Sequence, residues 1–258
     1  MTAARLVAIW RHPLKGHGRE ALEAVTLAAD AALPWDRHWA VLQEGVPEAG
    51  KAGREWIRCN NFMRGAKAPT LQAMEARLSF EANTPSLLLT HPERPPIRFN
   101  PDDPADTARF VDWVRPLYPS DRPGPARIIS LPGRGNTDSP FPSIALHATA
   151  SLRALSEHAG RPLSPLRFRG NLWIEGLAPW EEFDLVGRRI RIGAAELLVE
   201  EPIGRCRATT ADPETGRIDF DTLALLERLQ GGERNFGVYA RVVSPGPIRR
   251  GDEMEVLG

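Results

Sequence analysis

Only two cysteines, Cys59 and Cys206, occur in 258 residues. That scarcity excludes a disulfide framework and any zinc or iron–sulfur site made of cysteine alone, and it points to a reducing, cytoplasmic compartment. No apolar run approaches a membrane span. The N-terminal stretch MTAARLVAIWRHPLKG is interrupted at Trp10, Arg11 and His12, with no signal-peptide core or cleavage site, so no membrane partner is expected. Charge of one sign is lacking too: 33 Lys+Arg balance 33 Asp+Glu without a block of like charge, which argues against a nucleic-acid partner. The six histidines, at 12, 17, 38, 91, 147 and 158, show no zinc-like spacing. There is no glycine-rich phosphate loop, repeat or low-complexity tract.

What the chain does have is punctuation. The 24 prolines and 22 glycines separate short apolar runs, a pattern of strands and turns. Arg5–Trp10, Ala21–Leu27 and His38–Leu42 read as strands, and Ser86–Thr90 with Pro96–Phe99 as a hairpin. The stretch Asp102–Leu117 has an acidic first turn and then Phe110, Val111 and Val114 at helical spacing, with Pro116 as a stop. A turn-rich, mobile segment is expected next, through PGPARIISLPGRGNTDSPFPS. Ala148–Ala159 is a second helix, closed by Gly160 and Pro162. Strands return from Leu166, including a pair turning at Gly193–Ala195, with a short helix from Asp221 to Leu229 capped by Asp221. The expected fold is mainly β (α+β): a β-barrel with a few peripheral helices, preceded by a smaller β-rich N-terminal domain. The division is placed at residues 1–120 and 121–258.

The chemistry centres on GRCRATTADPETG, Gly204 to Gly216, where Cys206 sits between Arg205 and Arg207 in a turn. Flanking positive charge favours a thiolate, which is the nucleophilic and metal-binding form; a buried, inert cysteine is the competing reading. Three other spots carry polar groups that a barrel does not need. HPLKG holds Lys15 in a proline-stiffened turn, either merely exposed or aimed at an anion. WDRHW sets Asp36 and Arg37 among aromatics, either as a surface pair or as a buried anion-binding or structural arginine. In RFRGN, strand alternation sends Arg167, Arg169 and Asn171 to one face, suited to an anionic heterocycle or to a salt-bridged sheet. A Cys–His hydrolase remains open, because its partners need meet only in space.

In order along the chain, PLKG, WDRHW, TDSPFPSIALHATASL, RFRGN, PWEEFD, GRCRATTADPETG and NFGVYARVVSPGPIRRGD resemble the MOSC family. The likeness runs from about Leu6 to Val256 and has the two-part form of an N-terminal MOSC β-barrel domain followed by a MOSC domain, as in the mitochondrial amidoxime-reducing component and bacterial relatives. It implies a molybdenum cofactor (Mo-molybdopterin), with Cys206 as metal ligand and catalytic centre. A soft thiolate suits such a metal. Lys15, Arg37, Asp138, Arg167, Arg169, Asn171, Arg205 and Thr209 are the implied cofactor contacts. Two departures stand out: Gly16 where relatives often have serine, and Gly170 where they often have proline. Gly16 removes a hydroxyl but keeps a backbone N–H.

The implied activity is reduction of a small N-hydroxylated substrate, without pyridoxal phosphate. Electrons are expected from a separate ferredoxin, flavoprotein or cytochrome-type protein, since this chain lacks cysteines for a cluster. The alternatives are a cofactor or sulfur carrier with a persulfide on Cys206 and no reductase activity, and a barrel adapted to another ligand.

Overall fold

The computed structural model describes residues 3–258. Its largest sheet has eight strands, in the spatial order Met254–Leu257, Arg189–Ile192, Ala195–Gly204, Asn235–Ser244, Ile144–Ala148, Leu172–Glu175, Arg5–Arg11 and Glu20–Leu22. Met254 N donates to Ala4 O at 2.8 Å and Leu6 N to Asp252 O at 2.9 Å, so the two sides of the sheet meet and the barrel closes. Closure removes open edges. Alternation fills the interior: Ile190 and Ile192 on one strand and Ala195, Leu197 and Val199 on the next point inward, while the intervening side chains are exposed or half-buried. With Leu6, Ile9, Leu146, Ile174 and Val238 they form one buried cluster.

The N-terminal part has its own core, which includes Leu14, Trp39, Leu87, Phe99 and Phe110. Glu75–Glu81, Thr84–His91 and Arg94–Phe99 make an antiparallel three-stranded sheet; the first of these strands is additional to the expected hairpin. Helix α1, Pro104–Val114, starts where Asp103 accepts from Asp106 N at 2.8 Å and buries Phe110, Val111 and Val114. The segment expected to be mobile is instead tied down. Pro125–Ser130 pairs with Trp39–Gln43, and Asn136, Thr137, Ser139 and Ser143 are buried.

Helix α2, Thr149–Ala159, ends at Gly160 with φ 66°. Helix α3, Thr222–Leu229, is capped by Asp221 as expected, through Ala224 N at 3.0 Å. Leu155 and Leu226 of these helices share an outer cluster with Phe168, Trp173 and Phe236. RFRGN is not a strand. Ser164 caps a 3-10 turn over Pro165–Phe168, Arg169 adopts a left-handed conformation at φ 49°, and the strand begins only at Leu172. The expected common face for Arg167, Arg169 and Asn171 therefore does not exist. Among the described residues no helix is long and apolar enough to cross a membrane.

Early strands belong spatially with the C-terminal half. Arg5–Arg11 pairs with Leu172–Glu175, and Ala24–Leu27 pairs with Gly246–Arg249.

Candidate functional site

An open cavity of about 300 Å³ lies between the barrel and the N-terminal part, and Cys206 lines it with Lys15, Arg37, Asp138, Arg167, Arg169, Arg205 and Thr209. The cysteine follows the strand Ala195–Gly204. Just before it, register shifts beside Val199 and Pro202, and Gly237 at φ 73° in the partner strand, break the regular ladder. Cys206 is exposed, so the packed, inert alternative does not apply. Its carbonyl accepts from Thr209 N at 3.2 Å and Thr209 Oγ1 at 3.1 Å, and Thr209 Oγ1 meets Thr222 Oγ1 of α3 at 2.6 Å. Thr209 thus anchors the cysteine turn to a helix.

The N-terminal part clamps the same loop. Gln72 donates to Ala208 O at 2.8 Å and Arg19 to Pro213 O at 2.9 Å. Gly216, at φ 69°, packs so closely that a Cβ there would lie 2.6 Å from Thr70 Cα. Asp212 accepts from Glu214 N at 2.8 Å and Thr215 N at 3.0 Å, shaping the turn.

Lys15 is buried, and its Nζ donates to Asn136 O at 2.7 Å and Asp138 Oδ1 at 2.5 Å. Burial would raise the Asp138 carboxyl, but Lys15 and Arg37 outweigh it and hold its pKa down to about 2. Arg37 is also buried. It pairs with Asp36 and donates to Arg169 O at 3.2 Å, which makes WDRHW an interior ion pair at the cavity and not a surface one.

Arg169 donates from Nη2 to Gly18 O at 3.1 Å, while its Nη1 is buried without a partner. Burial and the fields of Arg37 and Arg19 lower its pKa to about 9. An unpaired guanidinium N–H beside other cations is costly unless an anion completes it. Arg205 does not turn toward the sulfur next to it. Its Nε donates to Phe236 O at 2.8 Å and its Nη1 to Phe168 O at 2.9 Å, with His147 against Nη2. Burial lowers its pKa to about 10.

Two expected contacts sit differently. Arg167 lines the cavity but grips Asp219 with two 2.7 Å bonds. Asn171 does not line it: Oδ1 accepts from Ala145 N at 3.0 Å and Nδ2 donates to Trp10 O at 3.0 Å, stitching strands together. Both glycine departures have steric causes. Gly16 has φ 76°, with a Cβ position 2.8 Å from Met63 O, and a Cβ on Gly170 would overlap the His147 ring.

Sequence reasoning missed Cys59, Arg64 and Tyr239, which also line the cavity. Arg64 Nη1 lies 3.1 Å from Cys59 Sγ. Burial raises the Cys59 thiol, reinforced by Asp138 and opposed by Arg64 and Lys15. Burial, with Asp138, also keeps the Tyr239 phenol protonated. Among the described residues no histidine lines the cavity, so it offers Cys206 no imidazole base.

Stretches of the chain resemble proteins named molybdenum cofactor sulfurase. Identity is 40% over 73 residues for the one from Anopheles gambiae, covering 28% of this chain and 9% of that protein. For the one from Drosophila grimshawi it is 34% over 90 residues, covering 35% and 11%. The matched stretch thus spans about a tenth of these relatives' length. Among solved structures, the YUAD protein from Bacillus subtilis aligns over 99% of this chain and 96% of its own, at 14% identity and a TM-score of 0.46. YiiM from Geobacillus stearothermophilus aligns over 45% and 54%, at 22% identity and a TM-score of 0.35. The family models account for nearly the whole chain, the MOSC N-terminal beta barrel domain over residues 3–117 and the MOSC domain over residues 136–255. The chain belongs to the MOSC family, in its two-part form.

Proposed function

We propose that this protein binds a molybdenum cofactor in the cavity at Cys206 and reduces small N-hydroxylated compounds with electrons from a separate donor protein. The observation that carries the reading is one open cavity holding both an exposed thiol and a buried, unpartnered Arg169 N–H. Such a donor set fits a group that joins a soft metal to an anionic tail. The likeness to molybdenum cofactor sulfurases supports the same class of ligand.

The cofactor, when bound, would supply the two-electron chemistry of oxygen removal. Cys206 would be its thiolate ligand. Arg169, Arg37 and Lys15 would hold its anionic end, with Lys15 kept in place by Asn136 and Asp138. The Tyr239 phenol, held protonated at the cavity wall, would donate a hydrogen bond to the substrate oxygen. Thr209 and Gln72 fix the backbone on which Cys206 rides.

The test is elemental analysis with a Cys206→Ser variant. Molybdenum should copurify with the wild type and be lost from the variant, along with reduction of a hydroxylamine or amidoxime. Compared as metal-free proteins, the two should melt within about 0.5 kcal/mol of each other, because Cys206 is exposed. Full activity in the variant refutes the assignment.

A second reading, a sulfur carrier with a Cys206 persulfide, is favoured by the second thiol, Cys59, on the same cavity. A persulfide on Cys206 in metal-free protein, without reductase activity after cofactor loading, selects it.

A further inference from the structure

The two cysteines of this chain come from distant segments, yet both open on one cavity of about 300 Å³. Their settings differ. Cys206 is exposed, whereas Cys59 is half-buried, at the start of the 3-10 turn Cys59–Asn61. Arg64 Nη1 points at Cys59 Sγ from 3.1 Å, and Arg64 Nε is buried without a partner. Lys15 and Asp138 share the same wall. One sulfur therefore faces incoming molecules, and the other is sheltered with a cation beside it.

We infer that Cys59 is a second sulfur-handling site, which takes sulfane sulfur from a persulfide on Cys206 and stores it in the cavity. The exposed Cys206 sulfur first attacks the terminal sulfur of a small persulfide or polysulfide; the donor's S–S bond breaks as the new one forms, and the donor leaves as a thiol or a polysulfide one sulfur shorter, carrying the Cys206 proton. The Cys59 sulfur then attacks the outer sulfur of that persulfide. The S–S bond to Cys206 breaks as a new one forms to Cys59, and the Cys59 proton ends on Cys206. The exchange is Cys206–S–SH plus Cys59–SH giving Cys206–SH plus Cys59–S–SH, with no net oxidation. Arg64 has a role on both sides of this step: its N–H stabilises the attacking thiolate and then the persulfide anion. Retention follows from the setting, because a buried, high-pKa thiol is a slow leaving group.

The inference rests on the cavity and its two thiols, not on the proposed metal. The test uses reduced, full-length, metal-free protein pulsed with one equivalent of sodium tetrasulfide. Samples are quenched with iodoacetamide over time, and the two cysteine peptides are weighed by mass spectrometry. In the wild type the extra sulfur should appear on Cys206 first and then rise on Cys59 as it falls on Cys206. Cys206→Ser should slow modification of Cys59 by about tenfold or more, with an unchanged melting curve, since that side chain is exposed. Arg64→Gln should leave the first step intact and shorten the life of the Cys59 persulfide. Equal rates at Cys59 with and without Cys206, or no persulfide at Cys59, would overturn the inference. Either failure leaves molybdenum binding to stand or fall by its own assay.

Discussion

Replacing Arg167 with methionine should destabilise the protein even without any cofactor. Its side chain is 2% exposed and makes two 2.7 Å bonds to Asp219, with Asp212 at 3.5 Å. Removing one member of a buried pair costs about 3–5 kcal/mol, because the other charge is stranded. The value here is lower. Asp219 is 23% exposed and keeps Arg161 at 3.0 Å, and methionine refills part of the volume, so about 2–3 kcal/mol is expected. For a chain of this size that corresponds to a fall in melting temperature of about 4–12 °C, read by calorimetry on metal-free protein. Adding Asp219→Asn to Arg167→Met should cost little more than Arg167→Met alone, since both remove one interaction. A melting temperature within about 1 °C of wild type, or strictly additive losses in the double variant, would refute the structural role assigned to Arg167.

Acid should weaken the fold well above the range of carboxylate titration. Burial lowers His12 to about 3 and His17 to about 4, from 6.5; the unfolded chain then takes up protons near pH 6.5 that the folded one refuses, so stability falls as pH drops through 6.5 toward 4. Urea unfolding at pH 5 should show about 3–4 kcal/mol less stability than at pH 7 from these two groups, and a flat profile would contradict their neutral burial. Gly216→Ala must place a Cβ 2.6 Å from Thr70 Cα at φ 69°, so a loss of about 2–4 kcal/mol is expected in thermal melts; an unchanged melt would show that the turn is free to move. Gly170→Ala should displace the His147 ring that lies against Arg205, costing about 1–3 kcal/mol, and chemical shifts of His147 that match the wild type would exclude that displacement.

Several elements were legible from residues alone. The acidic start of α1, the cap of α3, the glycine stop of α2 and the alternating barrel strands follow local rules that the packing reinforces. Cys206 was visible as a polar anomaly in a turn, and the fold leaves it exposed on the cavity. RFRGN failed because alternation presumes a strand, whereas Ser164 and Pro165 start a tight turn and Arg169 goes left-handed. Asn171 looked like a ligand group because an amide that joins strands carries the same sequence signature as one that meets a ligand. Arg64 and Tyr239 reach the cavity only through long-range packing. The nearest signal for Arg64 was its place five residues from the second cysteine, and Tyr239 lies on a barrel strand with no local mark of function. Turn-rich composition likewise suggested mobility at 123–143, where pairing with Trp39–Gln43 overrides it.

The pairing of Arg5–Arg11 with Leu172–Glu175, and of Ala24–Leu27 with Gly246–Arg249, sets a timetable for biosynthesis. During synthesis Arg5–Arg11 has only Glu20–Leu22 beside it until Leu172–Glu175 has been made, and the barrel shuts only once Asp252 and Met254 are in place. Until then each of these strands keeps an unpaired edge, and at ordinary rates of synthesis that sticky state lasts for several seconds.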